Sequence, residues 1–269
     1  MRDHGQDGLP GQAAVAPQQI ARFTYLTLPS PKERIHTRFL LVFSCQMRVF
    51  FGMAKKGVSP VPQVADVIAA LAKDHAGAEC ELRHENAFQL LIATILSAQC
   101  TDERVNQVTL ELFKKYPTPA DFAHLDQEVL EQAVRPTGFY RNKAKSVKNC
   151  CIQLVDQHDG KVPEELDDLV KLAGVGRKTA NLVLGVAFAK ATGIVVDTHV
   201  GRVARRIGFS KQKDGNKVEA DLLEIIPQED WIDFSTRMIH HGRYLCKAKK
   251  PQCDSCSMKQ FCPQIGVEV

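Results

Sequence analysis

Between Leu172 and Ala180 the chain reads LAGVGRKTA, and no other stretch restricts the fold as much. Before it, residues 163–171 carry Leu166, Leu169 and Val170 at helical spacing; after it, residues 181–188 are apolar enough for a buried helix. Two helices are therefore joined by a turn with glycines at 174 and 176. Glycine permits positive φ there and lets the backbone approach another group closely. The amides of Gly174, Val175 and Gly176 are expected to point outward at the start of the second helix. That helix end carries partial positive charge and free donors, so it can hold an anion such as phosphate. Arg177 and Lys178 follow in its first turn. Taken alone, such a turn is common, and Lys178 would merely add one more phosphate contact.

The rest of the chain reads as helices with short connections. Val64, Val67, Ile68 and Leu71 form one apolar stripe, and residues 88–96 are apolar nearly all round, as in a central buried helix. Further helices are expected from Asp102, after a cap at Thr118, and from Asp126. No segment alternates with period two for long enough to suggest a sheet, so the fold class is all-α. Residues 1–52 differ: the first nineteen are rich in Gly, Pro, Gln and Ala, and residues 38–51 are apolar but interrupted by Ser44, Gln46 and Arg48. That run is too short to span a membrane and too far along the chain for an ordinary signal peptide. The expectation is a disordered or non-native extension over 1–52, with translation beginning at Met53.

The net charge of +4 is mild, but its distribution is uneven. No acidic residue lies between Glu131 and Asp156, between Asp168 and Asp197, or between Asp233 and Asp254. The first interval holds Lys143, Lys145 and Lys148; the last holds Arg243, Lys247, Lys249 and Lys250. These three stretches either form separate solvated faces or converge on a polyanion.

Of the nine cysteines, Cys246, Cys253, Cys256 and Cys262 follow the spacing C-x6-C-x2-C-x5-C. Zinc modules usually pair their ligands as two close doublets, whereas four thiolates in one loop suit a [4Fe–4S] cluster with one cysteine per iron. The odd total, without a secretion signal, argues against a disulfide framework and for a reducing, cytoplasmic location.

The hairpin with Lys178, the sequence VVDTH around Asp197, the LSAQ at 96–99 and the cysteine spacing together resemble the endonuclease III family. These are helix-hairpin-helix DNA glycosylases with an iron–sulfur cluster. The resemblance runs from about Val61 to the C-terminus and implies a bifunctional enzyme acting on double-stranded DNA with a damaged base or an abasic site. Lys178 would be the nucleophile at C1′, Asp197 the carboxylate stabilising positive charge on the sugar, and oxidised pyrimidines the substrates. An attacking amine must be neutral; a helix N-terminus and partial burial would disfavour the ammonium form, and Asp197 would oppose them if close. Gln99 would fill the gap left by an extruded base, since a stacked base is out of reach of chemistry inside the duplex. Phe139, at the tip of the Pro136–Gly138 turn, would wedge into the stack, although the family often has an aliphatic residue there. Lys143, Arg177, Lys249 and the turn residues Gly174, Val175 and Gly176 would contact the DNA, with Arg243 and His241 on the same surface as the cluster loop.

The family fold implies a six-helix barrel domain over 80–191. A second helical domain would be built from 53–79 and 192–269 and carry the cluster, with DNA across the cleft between the two. The chain is expected to be a monomer away from membranes. Ala173 departs from the proline common in the family's hairpin, at some cost in rigidity. Two rivals are a monofunctional adenine-type glycosylase, which would need a glutamate in 87–100 that this sequence lacks, and a non-catalytic hairpin module with a redox-sensing cluster. The second rival would need neither Lys178 nor Asp197.

Overall fold

Eleven α-helices, with no strand among the described residues, follow the apolar periodicities of the sequence. The computed structural model describes residues 61–267; the expected extension over 1–52 and the start at Met53 lie outside them. α1 (Val64–Asp74) buries Val67, Ala70 and Leu71 along its stripe. α2 (Ala87–Leu96) starts where the Asn86 side chain accepts from the Gln89 amide, and all of its residues after Ala87 are buried. α3 (Asp102–Lys115) is capped by Thr101 and has acids in its first turn and lysines in its last, an arrangement that suits the helix dipole. α4 (Pro119–His124) opens with a reciprocal capping box between Thr118 and Asp121. α5 (Gln127–Val134) leads through a 3-10 turn into α6 (Tyr140–His158).

The hairpin is α7 (Leu166–Leu169) and α8 (Arg177–Phe188). The first of these is shorter than the expected helix over 163–171. Lys190 holds the Glu164 carbonyl at 2.9 Å and the Glu165 carboxylate at 3.1 Å, and Glu165 is extended, so helical geometry begins only at Leu166. α9 (Thr198–Ile207), α10 (Gly215–Leu223) and α11 (Trp231–His240) complete the set, and α11 runs on into a π-helical turn over His241–Leu245. None of the described helices is long and apolar enough to cross a membrane.

The buried apolar side chains fall into two clusters. One runs from Leu82 to Leu184 and gathers α2 to α8 around Leu90, Leu91, Phe122 and Leu154. The other joins Val67, Ala70 and Leu71 of α1 to Ile194 and the buried faces of α9 to α11, with Met258 from the cysteine loop. The chain thus begins in the second cluster, builds the first, and returns after α8.

Candidate active site in the interhelical cleft

The hairpin turn is shaped by Gly174, whose φ of +78° is left-handed. A Cβ at that position would stand 2.8 Å from Ser146 Cβ, so the turn lies directly on α6. Its other anchor is the Ala173 amide, which donates to Gln153 Oε1 at 2.7 Å. A proline at 173 would have no N–H to give. The departure from the family pattern is thereby matched by a hydrogen bond that fixes the turn.

Val175 differs from expectation. Its side chain is buried, and its amide donates to the Leu172 carbonyl at 3.1 Å, so it offers nothing outward. Gly174 and Gly176 are exposed, and among the described residues their amides donate to no protein acceptor. α8 has no side-chain cap at its N-terminus. Lys178, in that first turn, is exposed rather than partly buried.

Asp197 stands at the N-terminus of α9, where Oδ1 alone accepts from both the His199 and Val200 amides at 2.8 Å. The carboxylate is a helix cap, and its second oxygen has no protein partner among the described residues. A cleft of about 540 Å³ brings Lys178, Asp197 and Gln99 onto one surface. Gln99 reaches it because residues 97–99 turn sharply off the end of α2, with Gln99 exposed in a left-handed conformation at φ +53°. Phe139, Arg177 and Lys249 do not line the cleft. Phe139 has φ +49° and is 65 % exposed, so this turn-tip aromatic is presented to solvent rather than tucked into the core. Lys249 is exposed in the cysteine loop.

Lys143 requires a correction. It is 5 % exposed, and its ammonium donates to the Thr137 carbonyl at 2.7 Å inside the turn that presents Phe139. Burial lowers its pKa, opposed by the nearby Cys100. It therefore braces the Phe139 turn, while its neighbour Lys145 is exposed.

A group of charges at one end of the cleft was not anticipated. Arg243 Nη1 bridges Asp102 Oδ2 at 2.6 Å and Glu81 Oε2 at 2.7 Å, and the Tyr244 hydroxyl donates to Glu81 Oε1 at 2.6 Å. Burial would raise the Glu81 carboxyl, but the Tyr244 hydroxyl and the Arg243 guanidinium hold it below its usual value. Arg243 thus joins acids near α2 and α3 to the end of α11, instead of lying free on a basic face. His241 is likewise not on the surface. It is buried, with its pKa pulled down to about 4 by desolvation, and its ring lies 3.1 Å from His75 and 3.7 Å from Cys256 Sγ.

Cys246, Cys253, Cys256 and Cys262 line a single small pocket, and none forms a disulfide. Two arginines of α9 hold the loop that carries them. Arg202 donates to the carbonyls of Gly242 and Cys246, and Arg206 to those of Cys246, Lys247 and Ala248 and to Cys246 Sγ at 3.3 Å. A guanidinium of α9 donates to one sulfur in a pocket lined by all four cysteines, and cysteine sulfurs so grouped are metal ligands. The donor set therefore fits a metal or cluster bound by four cysteines.

Residues 92–228 match the model of the HhH-GPD superfamily base excision DNA repair protein. The chain is 44 % identical over 211 residues to endonuclease III of Synechocystis sp., covering 78 % of this chain and 96 % of that protein. It is 47 % identical over 186 residues to endonuclease III of Bacillus subtilis, covering 69 % and 84 %. A solved structure of a trapped endonuclease III–DNA covalent intermediate superimposes with a TM-score of 0.70 at 50 % identity, over 72 % of this chain and 92 % of that one. A hairpin helix and a capped aspartate face one cleft, four cysteines share one pocket, and relatives align over nearly their whole length: the chain belongs to the endonuclease III family within the HhH-GPD superfamily of base excision DNA repair proteins.

Proposed function

We propose that this chain removes oxidised pyrimidines from duplex DNA and then cleaves the strand at the resulting abasic site, with Lys178 as the nucleophile. The observation that carries the reading is the cleft itself, which brings Lys178 and Asp197 together, each at a helix N-terminus. The free donors of the Gly174–Gly176 turn and the uncapped start of α8 hold a backbone phosphate, which places the sugar against Lys178. The Lys178 amine forms a bond to C1′ as the base departs with the electron pair of the glycosidic bond. Asp197, through the oxygen not used for capping, stabilises the positive charge that builds on the sugar. One proton of the attacking neutral amine passes to the departing base. The C1′–O4′ bond then breaks with its electron pair and the second amine proton going to O4′, which leaves an imine between Nζ and C1′. Loss of a C2′ proton then expels the 3′ phosphate by β-elimination.

Gln99 enters the space left by the extruded base, and Phe139 wedges into the stack. Arg177 and Lys249 contribute phosphate contacts. The two apolar clusters correspond in this reading to a barrel domain over 80–191 and a second domain whose described residues are 61–79 and 192–267, with the DNA between them. Cys246, Cys253, Cys256 and Cys262 would hold a [4Fe–4S] cluster. Those four side chains would tie the loop together around that group, and Arg202 and Arg206 hold the loop carrying Lys249 to α9. α2 carries no acidic residue, which disfavours adenine-type chemistry.

Borohydride trapping on a duplex with one thymine glycol, beside one with an abasic site, tests the reading. Wild type is expected to form a reduced covalent adduct on both, and Lys178→Gln on neither. An adduct on the abasic duplex alone would remove the glycosylase substrate from the proposal. Adducts that persist in Lys178→Gln would remove Lys178.

A further inference from the structure

Glu219 is a buried carboxylate for which the steps above have no use. It sits on α10, in the second apolar cluster beside Val218 and Leu222, yet it reaches the hairpin helix of the first. Arg177 Nε donates to its two oxygens at 3.1 and 3.0 Å, and Asn181 Nδ2 donates to Oε1 at 2.8 Å. Asn181 in turn accepts from the Thr192 hydroxyl at 3.1 Å. A Cβ on Gly193 would collide with Asn181 Nδ2 and Glu219 Oε1, so the strand of chain leading to Asp197 lies directly on this group.

We infer that Glu219 is a positioning residue for the reaction: it sets the rotation of α8, and through it the direction of Lys178 towards Asp197. Arg177 and Asn181 are four residues apart and lie on one face of α8, where Glu219 holds both. Lys178 is one residue on from Arg177, about 100° around the helix. Holding the Arg177–Asn181 face fixes the angle at which Lys178 leaves the axis. The same carboxylate packs on Gly193, four residues before Asp197, so it references both walls of the cleft to one point. A buried carboxylate stays in place only while its cation and donors remain. Arg177 is thereby held by its Nε, and its Nη groups, which have no hydrogen-bond acceptor among the described residues, stay available to a phosphate.

The inference rests on Lys178 being the nucleophile, and Lys178→Gln is the control that separates the two claims. Single-turnover borohydride trapping on an abasic duplex, at saturating DNA, is compared for wild type and Glu219→Gln. DNA affinity and thermal midpoint are measured on the same preparations. Glutamine keeps the shape and an acceptor for Asn181 but loses the charge that holds Arg177. The trapping rate is expected to fall by about tenfold, since small misplacements of reacting groups cost this much, while DNA affinity changes by less than about threefold. A trapping rate within twofold of wild type, or a loss explained entirely by weaker DNA binding, overturns the inference. If Glu219→Gln does not fold, Thr192→Val takes its place, since it removes one partly exposed link of the same network. A loss of about threefold in trapping rate at saturating DNA is then expected, and no loss overturns the inference. If Lys178→Gln still traps, the nucleophile assignment fails and the inference falls with it, whereas an unchanged rate in Glu219→Gln beside a silent Lys178→Gln overturns the inference alone.

Discussion

The cleft is lined by residues from two helix N-termini, and the two are finished in opposite ways. α8 begins without a side-chain cap, and Lys178 in its first turn is exposed. α9 begins with Asp197 tied to two of its amides through a single oxygen. The first end leaves its donors and its cation for something outside the protein. The second satisfies its own donors and keeps one carboxylate oxygen in the cleft. In the proposed reading, capping holds Asp197 in place to act on charge, and the uncapped start of α8 seats a phosphate.

Substitutions at Asp197 break this comparison most severely. Asparagine is as good a cap as aspartate but carries no charge, so Asp197→Asn is expected to lower base release by on the order of 10²-fold with little loss of stability. Alanine removes the cap as well and should cost about 1 kcal/mol more in urea unfolding. Equal activity for Asn and wild type would reduce Asp197 to a cap. At the other terminus, Gly174→Ala forces a side chain into left-handed geometry and against Ser146. A destabilisation of about 1–3 kcal/mol is expected, read as a lower denaturation midpoint, together with weaker DNA binding.

The basic residues sharpen the contrast between donors kept for outside and donors used within. Lys249→Ala should reduce the slope of log affinity against log salt by about 0.9, whereas Lys143→Met should leave it unchanged. A reduced slope for Lys143→Met would mean that Lys143 swings out on binding.

The smallest effect concerns the Glu81–Arg243 bridge. The folded-state pKa of Glu81 lies below the ordinary glutamate value of 4.5, so the unfolded chain takes up its proton first as the pH falls. The stability contributed is complete above that value and is lost as the pH drops through the folded pKa. Urea midpoints of wild type and Glu81→Gln should therefore converge below about pH 4.5, and a constant gap would show that Glu81 is not coupled to folding in this way.

Much of this arrangement is legible in the sequence because it is local. The all-round apolar α2, the glycine turn before Lys178 and the cysteine spacing are each written within about twenty residues. What escapes is the identity of distant partners. Arg243 finds Glu81 across 162 positions, and Arg177 finds Glu219 across 42, and nothing in either local pattern names the other. An acid-free stretch identifies basic residues but not whether they already have acids from elsewhere in the fold. Lys143 is a different kind of miss. It shares the inward face of α6 with Val147, Cys150, Cys151 and Leu154, at helical spacing, so the periodicity already contained the signal. His241 was hidden because burial of an imidazole beside a cysteine loop depends on His75, the residue that follows α1.

The most direct measurement is peptide mapping of the borohydride-reduced adduct on an abasic duplex. After nuclease and protease digestion, the mass added by the sugar is located on the peptide that contains residue 178. The expected result is modification at Lys178 Nζ alone. Modification at another amine, with Lys178 recovered unmodified, would contradict the assignment of the hairpin lysine as the nucleophile.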